Sequence, residues 1–190
     1  QLGYTPQLRE RHQQLLNRGG YPAELVQGLS AEAASELAGV DITHPCLYYP
    51  QAGWVSPVAL TRSILAKAGE TGRLKIEYEV EIREIAQQGT GWQLTDAEGR
   101  QRTTEALVLA NGDGLTAFEQ CQSLPLYPTS GQVSQINADE NSLPLKKVLC
   151  YKGYLTPAHE GQHCIGASFV RTRASMALTG EEHKENIDKL

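Results

Sequence analysis

Glu105-Ala-Leu-Val-Leu-Ala-Asn-Gly-Asp-Gly114 is the stretch on which the fold of this chain turns. Residues 106–110 are all apolar, with polar neighbours before them and Asn111-Gly112 after. A short apolar run bounded in this way reads as a strand buried on both faces, and such strands are usually central. Open α/β sheets gather ligands at the carboxyl ends of central strands, where the chain turns and leaves backbone N–H groups beside a crevice. Function is therefore expected first around Asn111.

Upstream, Leu74, Ile76, Tyr78, Val80 and Ile82 alternate with Lys75, Glu77, Glu79, Glu81 and Arg83, the period of a half-buried strand. Residues 92–95 and 101–104, joined by the turn Asp96-Ala-Glu-Gly99, predict a hairpin. Ser56-Pro57 supplies a cap and a first residue for a helix to about Ala68. Two more helices are expected before it. Thr5-Pro6 opens one that Gly19-Gly20 stops, and Ser30 caps a short one over 31–37 that ends at Gly39. His12 falls on the apolar face of the first, the place of a core histidine rather than a ligand.

Downstream, residues 124–128, 132–136, 147–151 and 163–170 read as strands of an antiparallel sheet with Pro- and Gly-bearing turns. Thr179-Gly-Glu-Glu182 is a capping box whose helix is expected to run to Leu190. The fold class is α+β.

With 190 residues, 40% of them apolar and 21% charged, the chain has the composition of a globular protein. No apolar run reaches the roughly 18 residues of a membrane span, and the start carries no leader pattern and no initiator Met, which predicts an excised piece without a membrane partner. Cys46, Cys121, Cys150 and Cys164 form no C-x-x-C pair, as expected of reduced thiols in a cytoplasmic protein. The net charge of −5 argues against general affinity for nucleic acid. Even so, Lys146, Lys147, Lys152, Arg171 and Arg173 face only Glu160 in their stretch, which reads either as scattered solvated charges or as a local excess that could meet phosphates.

Three chemical signals stand out. Gly112-Asp-Gly114-Leu-Thr-Ala117 has the form G-x-G-x-x-A, which is either a phosphate loop or a glycine turn at a strand end. His159-Glu-Gly-Gln-His163 has the form H-E-x-x-H, which binds zinc for hydrolysis if helical. With Gly161 inside it and a β-like run behind it, a hairpin tip is the other reading. The third signal is an absence: neither G-x-S-x-G nor G-x-x-x-x-G-K-[ST] occurs.

In order, Leu47-Tyr-Tyr-Pro-Gln-Ala-Gly-Trp-Val-Ser-Pro57, Val80-Glu-Ile-Arg-Glu-Ile85, Trp92-Gln-Leu-Thr95, Leu107-Val-Leu-Ala-Asn-Gly112, Leu124-Pro-Leu-Tyr-Pro128, Gly131-Gln-Val133, Gly153-Tyr-Leu-Thr-Pro157 and Ile165-Gly-Ala-Ser168 resemble the FAD-dependent D-amino-acid oxidase family. The wording of residues 148–157 and 163–168 is similar to one branch of it, in which the oxidase is fused to a methyltransferase domain and works on the wobble uridine of bacterial tRNA. The resemblance implies FAD as cofactor, tRNA as partner, and oxidation of the C–N bond of a carboxymethylaminomethyl group. It implies a substrate domain over 1–55 and 121–190, with part of a Rossmann-like FAD-binding domain, 56–120, inserted. Glu81 and Ile82 would lie on the adenine, and Ala110, Asn111 and Gly112 near the ribose and pyrophosphate. Tyr154 and Phe169 would line the substrate pocket, or else belong to the sheet core. The family's leading G-x-G-x-x-G and its closing glycine-rich segment with the carboxylate-binding arginine have no counterpart here, and Ser130 stands where many members carry Arg. The piece alone is therefore expected to bind FAD weakly and to be inactive. The alternatives are an oxidase of glycine or another small amino acid, a zinc hydrolase using His159 and His163, and a non-catalytic interaction domain.

Overall fold

A computed structural model describes residues 1–171 and 177–189. In chain order the first half holds α1 (Pro6–Arg18), β1 (Gln27–Leu29), α2 (Ala31–Ala38), β2 (Cys46–Tyr48), α3 (Pro57–Gly69), β3 (Ile82–Gln88), β4 (Gly91–Asp96) and β5 (Gln101–Thr104). Two 3-10 turns follow, Gly112–Ala117 and Glu119–Cys121. The remainder is β6 (Thr129–Ser130), β7 (Ser134–Asn137), β8 (Leu149–Cys150), β9 (Tyr154–Leu155), β10 (Gln162–Gly166), β11 (Val170–Arg171) and α4 (Gly180–Ile187).

The four helices among the described residues start by the same chemistry. The hydroxyls of Thr5, Ser30, Ser56 and Thr179 accept from the amides of Leu8, Ala33, Ala59 and Glu182, at 3.2, 3.3, 3.3 and 3.3 Å. Each satisfies one of the amides that a first helical turn leaves without a partner. α4 closes at Ile187 rather than running to the chain end as expected.

The chain forms two compact units. The first takes Gln1–Val55, Ser130–Val170 and the described part of Ala174–Leu190. Its sheet has the order β7-β10-β9-β8, all antiparallel. The segment before α1 extends that sheet: Leu2 N donates to Cys150 O at 2.8 Å, and Leu2 bridges to Cys46 on β2, which pairs with β1. Ala34 and Ala38 of α2 pack with Ile42 and Leu145, and Leu29 of β1, Cys46 of β2, Leu149 of β8 and Leu155 of β9 close the cluster. His12 is buried on α1, and that burial lowers its pKa, so it is a neutral core residue.

The second unit takes Ser56–Thr129 and Arg171. It is built on the meander β3-β4-β5. Its core is Ile85, Phe118 and Cys121, with Ile82, Leu94, Leu107, Leu109 and Leu115 packed around them. α3 buries none of its residues, and Val58, Leu60 and Ile64 stay exposed.

Three expected strands are corrected here. Residues 106–110 form no strand and are not buried on both faces: Leu107 and Leu109 turn to the core while Val108 is 87% exposed. β4 already lies between β3 and β5, so the chain leaves the sheet after Thr104 with no neighbour to pair with among the described residues. The alternation over 74–83 becomes strand only from Ile82, because β4 runs out opposite it at Asp96 and Glu79 adopts a positive φ of 56°. Residues 124–128 also stay outside any strand.

Asp96 ties the β4–β5 turn together. Its carboxylate is buried and accepts from Arg102 Nη1 at 2.8 Å, Arg100 Nε at 2.7 Å and the amides of Glu98 and Arg100 at 3.1 and 2.9 Å. The bond from Arg102, followed by those from Arg100, overcomes desolvation and holds this carboxyl far below the usual carboxylate range. A carboxyl whose folded pKa is depressed stabilises the fold above its unfolded pKa, about 3.9, and that contribution is lost as pH falls through the folded value. Asp96→Asn is therefore expected to lower the melting temperature of the second unit at pH 7, with the gap to the parent sequence closing below about pH 4. Melts across this range check it. A gap that stays constant with pH contradicts it.

Candidate functional site

Two groups of expected site residues lie in separate units. In the second unit, Ile82 and the 107–112 run meet on one apolar cluster, since Ile82, Leu107 and Leu109 all pack on Ile85, Phe118 and Cys121. Glu81 is exposed at the mouth of the meander; its carbonyl accepts from Ala97 N at 2.9 Å and its carboxylate pairs with Arg83 at 2.9 Å. Ala110, Asn111 and Gly112 are exposed, and Gly112 has φ +61° with nothing near its missing Cβ. A hollow of ≈ 320 Å³ opens there, lined by Gly112, Asp113, Thr116, Leu126, Tyr127 and Thr129.

The residues present fit part of a dinucleotide. Three exposed residues in a row, 110–112, and an unobstructed glycine let a flat ring or a sugar approach closely. A pyrophosphate is a poorer match. Gly112–Ala117 is a 3-10 turn with no side-chain cap and with Asp113 in its first turn, so it offers neither an α-helical N-terminus nor a favourable charge. Of the two readings of G-x-G-x-x-A, the glycine turn is the one observed.

In the first unit, Tyr154 of β9 pairs with Gly166 of β10 on one side and Cys150 of β8 on the other. Burial, and then Cys164 beside it, push its phenol pKa up, so it stays protonated throughout the physiological range. Phe169 follows β10 and is 72% exposed, so it is a surface residue of this chain rather than sheet core.

His159 and His163 do not share a helix face. His159 and Gln162 exchange backbone bonds of 2.9 and 3.0 Å around Glu160 and Gly161, whose φ angles are 52° and 78°, which makes a tight hairpin tip. His163 is fully buried with Nδ1 2.8 Å from Thr156 O, while His159 is exposed against Trp54. Among the described residues no three His, Cys, Asp or Glu converge as metal ligands. No described helix is long and apolar enough to cross a membrane.

Asp113 and Tyr127 of the hollow and the buried pair Ser168 and Glu182 stand in recognisable sequence motifs, but no local pattern gives them a place in a site. The capping box marks Glu182 as a helix-start residue, and nothing local says that its carboxylate reaches Ser168, as it does at 2.6 Å.

Residues 2–190 match the family described as DAO, FAD dependent oxidoreductase. The chain is 37% identical over 190 residues to the tRNA 5-methylaminomethyl-2-thiouridine biosynthesis bifunctional protein MnmC of Aeromonas hydrophila, and 37% identical over 194 to that of Shewanella loihica. Each alignment covers 100% of this chain and 28% of the relative, so the chain spans little more than a quarter of their length. Among solved structures, glycine oxidase from Geobacillus kaustophilus superposes with a TM-score of 0.79 at 22% identity, over 99% of this chain and 51% of that one. Glycine oxidase from Bacillus cereus gives 0.82 at 19% identity, over 100% and 54%. These two likenesses are of fold.

Proposed function

Since the chain belongs to the DAO family of FAD dependent oxidoreductases, we propose that it is part of the oxidase half of a larger enzyme acting on the wobble uridine of tRNA. The amine there is a carboxymethylaminomethyl group; loss of a hydride and a proton from its CH–NH unit gives an imine, and hydrolysis of that imine by water releases the carboxymethyl arm as an aldehyde and leaves the amine on the uridine. Bound FAD supplies the hydride acceptor, and the protein orients the amine and keeps competing reactions out. The observation that carries this reading is identity of 37% along the whole chain with a tRNA-maturing relative.

In this reading the second unit is the inserted piece of the FAD-binding domain, and the backbone of Glu81 and Ile82 lies along the adenine. Ala110, Asn111 and Gly112 take the ribose side, where exposed backbone permits close approach. The first unit is the substrate domain. Tyr154 offers a protonated hydroxyl to the substrate and Phe169 an apolar wall. The partners are tRNA and a methyltransferase domain in the same protein, and the setting is the cytoplasm, where tRNA is matured.

The rival substrate is a free small amino acid, which needs no RNA-binding surface. Lys146 and Lys152 are exposed, and Lys147 Nζ stands 5.6 Å from the centre of the Tyr48 ring, within cation–π reach. Arg173, the far end of the basic stretch, lies outside the described residues. Replacing Lys146 and Lys152 by Glu in the parent protein is expected to weaken tRNA binding about tenfold and to flatten its salt dependence by roughly two units of log–log slope, near one per lost phosphate contact. Titration at several salt concentrations checks this. Unchanged affinity and slope would favour the free amino acid.

A further inference from the structure

Ser168 and Phe169 are neighbours with opposite environments: Ser168 is 2% exposed and Phe169 72%. With Ala167 also exposed, burial alternates here as it does along extended chain, where successive side chains point to opposite sides. Whatever holds the Ser168 side chain therefore sets the side of the chain from which Phe169 projects. The hold is a network of hydrogen bonds within the first unit. Ser168 Oγ accepts from Gln132 N at 2.8 Å and donates to Glu182 Oε1 at 2.6 Å. Ser168 N donates to Gln132 O at 3.1 Å. The other oxygen of Glu182 accepts from Thr179 Oγ1 at 2.9 Å. Gln132 is pinned in turn: its side chain exchanges two 2.9 Å bonds with the Thr179 backbone, and its carbonyl accepts from Asn186 Nδ2 at 2.8 Å. Lys189 Nζ holds the Ala167 carbonyl at 2.9 Å.

A carboxylate buried to 8% exposure is a costly way to dock a helix, because an apolar residue would fill the space without desolvating a charge. What it adds is direction, since a charge-assisted bond to a hydroxyl is short and geometrically strict. We propose that Ser168 and Glu182 are positioning residues that fix the Phe169 wall against the substrate amine. This rests on the reading of Phe169 as substrate-lining.

The test uses the parent protein with FAD and tRNA carrying carboxymethylaminomethyl-uridine. Ser168→Ala is expected to raise KM by up to about tenfold, the limit in which the whole worth of one such bond goes into holding the ring in place, and to leave kcat within about twofold. Ser168→Thr, which keeps the hydroxyl, is expected to restore KM. Because Ser168 acts through the ring, adding Ser168→Ala to Phe169→Ala is expected to raise KM no further. Glu182→Gln, which keeps the shape and an acceptor oxygen, covers the case in which Ser168→Ala fails to fold, and its KM is expected to rise with kcat held. If Phe169→Ala changes KM while neither Ser168→Ala nor Glu182→Gln does, or if the effects of Ser168→Ala and Phe169→Ala simply add, the positioning role is overturned. If Phe169→Ala itself leaves KM unchanged, the pocket reading fails and the proposal falls with it.

Discussion

Phe118→Ala is expected to unfold the second unit while the sheet of the first keeps its protection. Among the described residues the second unit has three buried apolar side chains, Ile85, Phe118 and Cys121, and Phe118 is the largest of them. Phe118 also joins the two 3-10 turns that carry residues 112–121 onto β3, where Gln120 Nε2 donates to Ile85 O at 2.7 Å. Truncating a buried aromatic costs about 3–5 kcal/mol, which is most of the roughly 5 kcal/mol at the lower end of domain stability. Hydrogen exchange reads the result segment by segment. Amides of β3, β4 and β5 are expected to lose protection while those of β9 and β10 keep it. Equal loss in both would contradict the core assignment.

The second large effect is expected at Gly39, where α2 ends. Its φ of +77° is left-handed, and a Cβ there would lie 2.5 Å from Pro144 O, a backbone atom that cannot swing aside. The same corner is locked by Lys146 N donating to Ala38 O at 2.8 Å, next to the buried Leu145. Gly39→Ala therefore adds left-handed strain, about 1–2 kcal/mol, to an overpacking cost of about 1–3 kcal/mol. The melting temperature is expected to fall by roughly 5–15 °C for a chain of this size. Gly72 is the internal control. Its φ of +67° carries the same strain with nothing near its Cβ, so Gly72→Ala is expected to cost only the strain, about 1–2 kcal/mol. Equal losses at the two glycines would show that the Pro144 contact is relieved by local movement.

These residues also mark what could be read from the sequence. Helix starts were legible at Thr5, Ser30, Ser56 and Thr179 because a cap is settled within four residues. So was the turn Asp96-Ala-Glu-Gly99, where Asp96 and a glycine at φ +78° act locally. The strand expected at 106–110 was not, because apolar composition describes what a segment can bury and not which strand lies beside it. The alternation over 74–83 failed for the same reason: Ile76 and Tyr78 have the right period but no partner strand among the described residues, and both are exposed. The candidate site divides likewise. The order of motifs pointed to the flavin oxidase family, which the match over residues 2–190 bears out. The Gln132, Ser168 and Glu182 network joins residues up to 50 positions apart by side-chain bonds that leave no periodic trace.

The most direct test of the account is anaerobic mixing of the FAD-loaded parent protein with tRNA carrying carboxymethylaminomethyl-uridine, followed at the long-wavelength flavin band. Bleaching of that band with loss of the carboxymethyl arm from the tRNA is the predicted result. A band that stays oxidised with this tRNA and bleaches with free glycine would contradict the account.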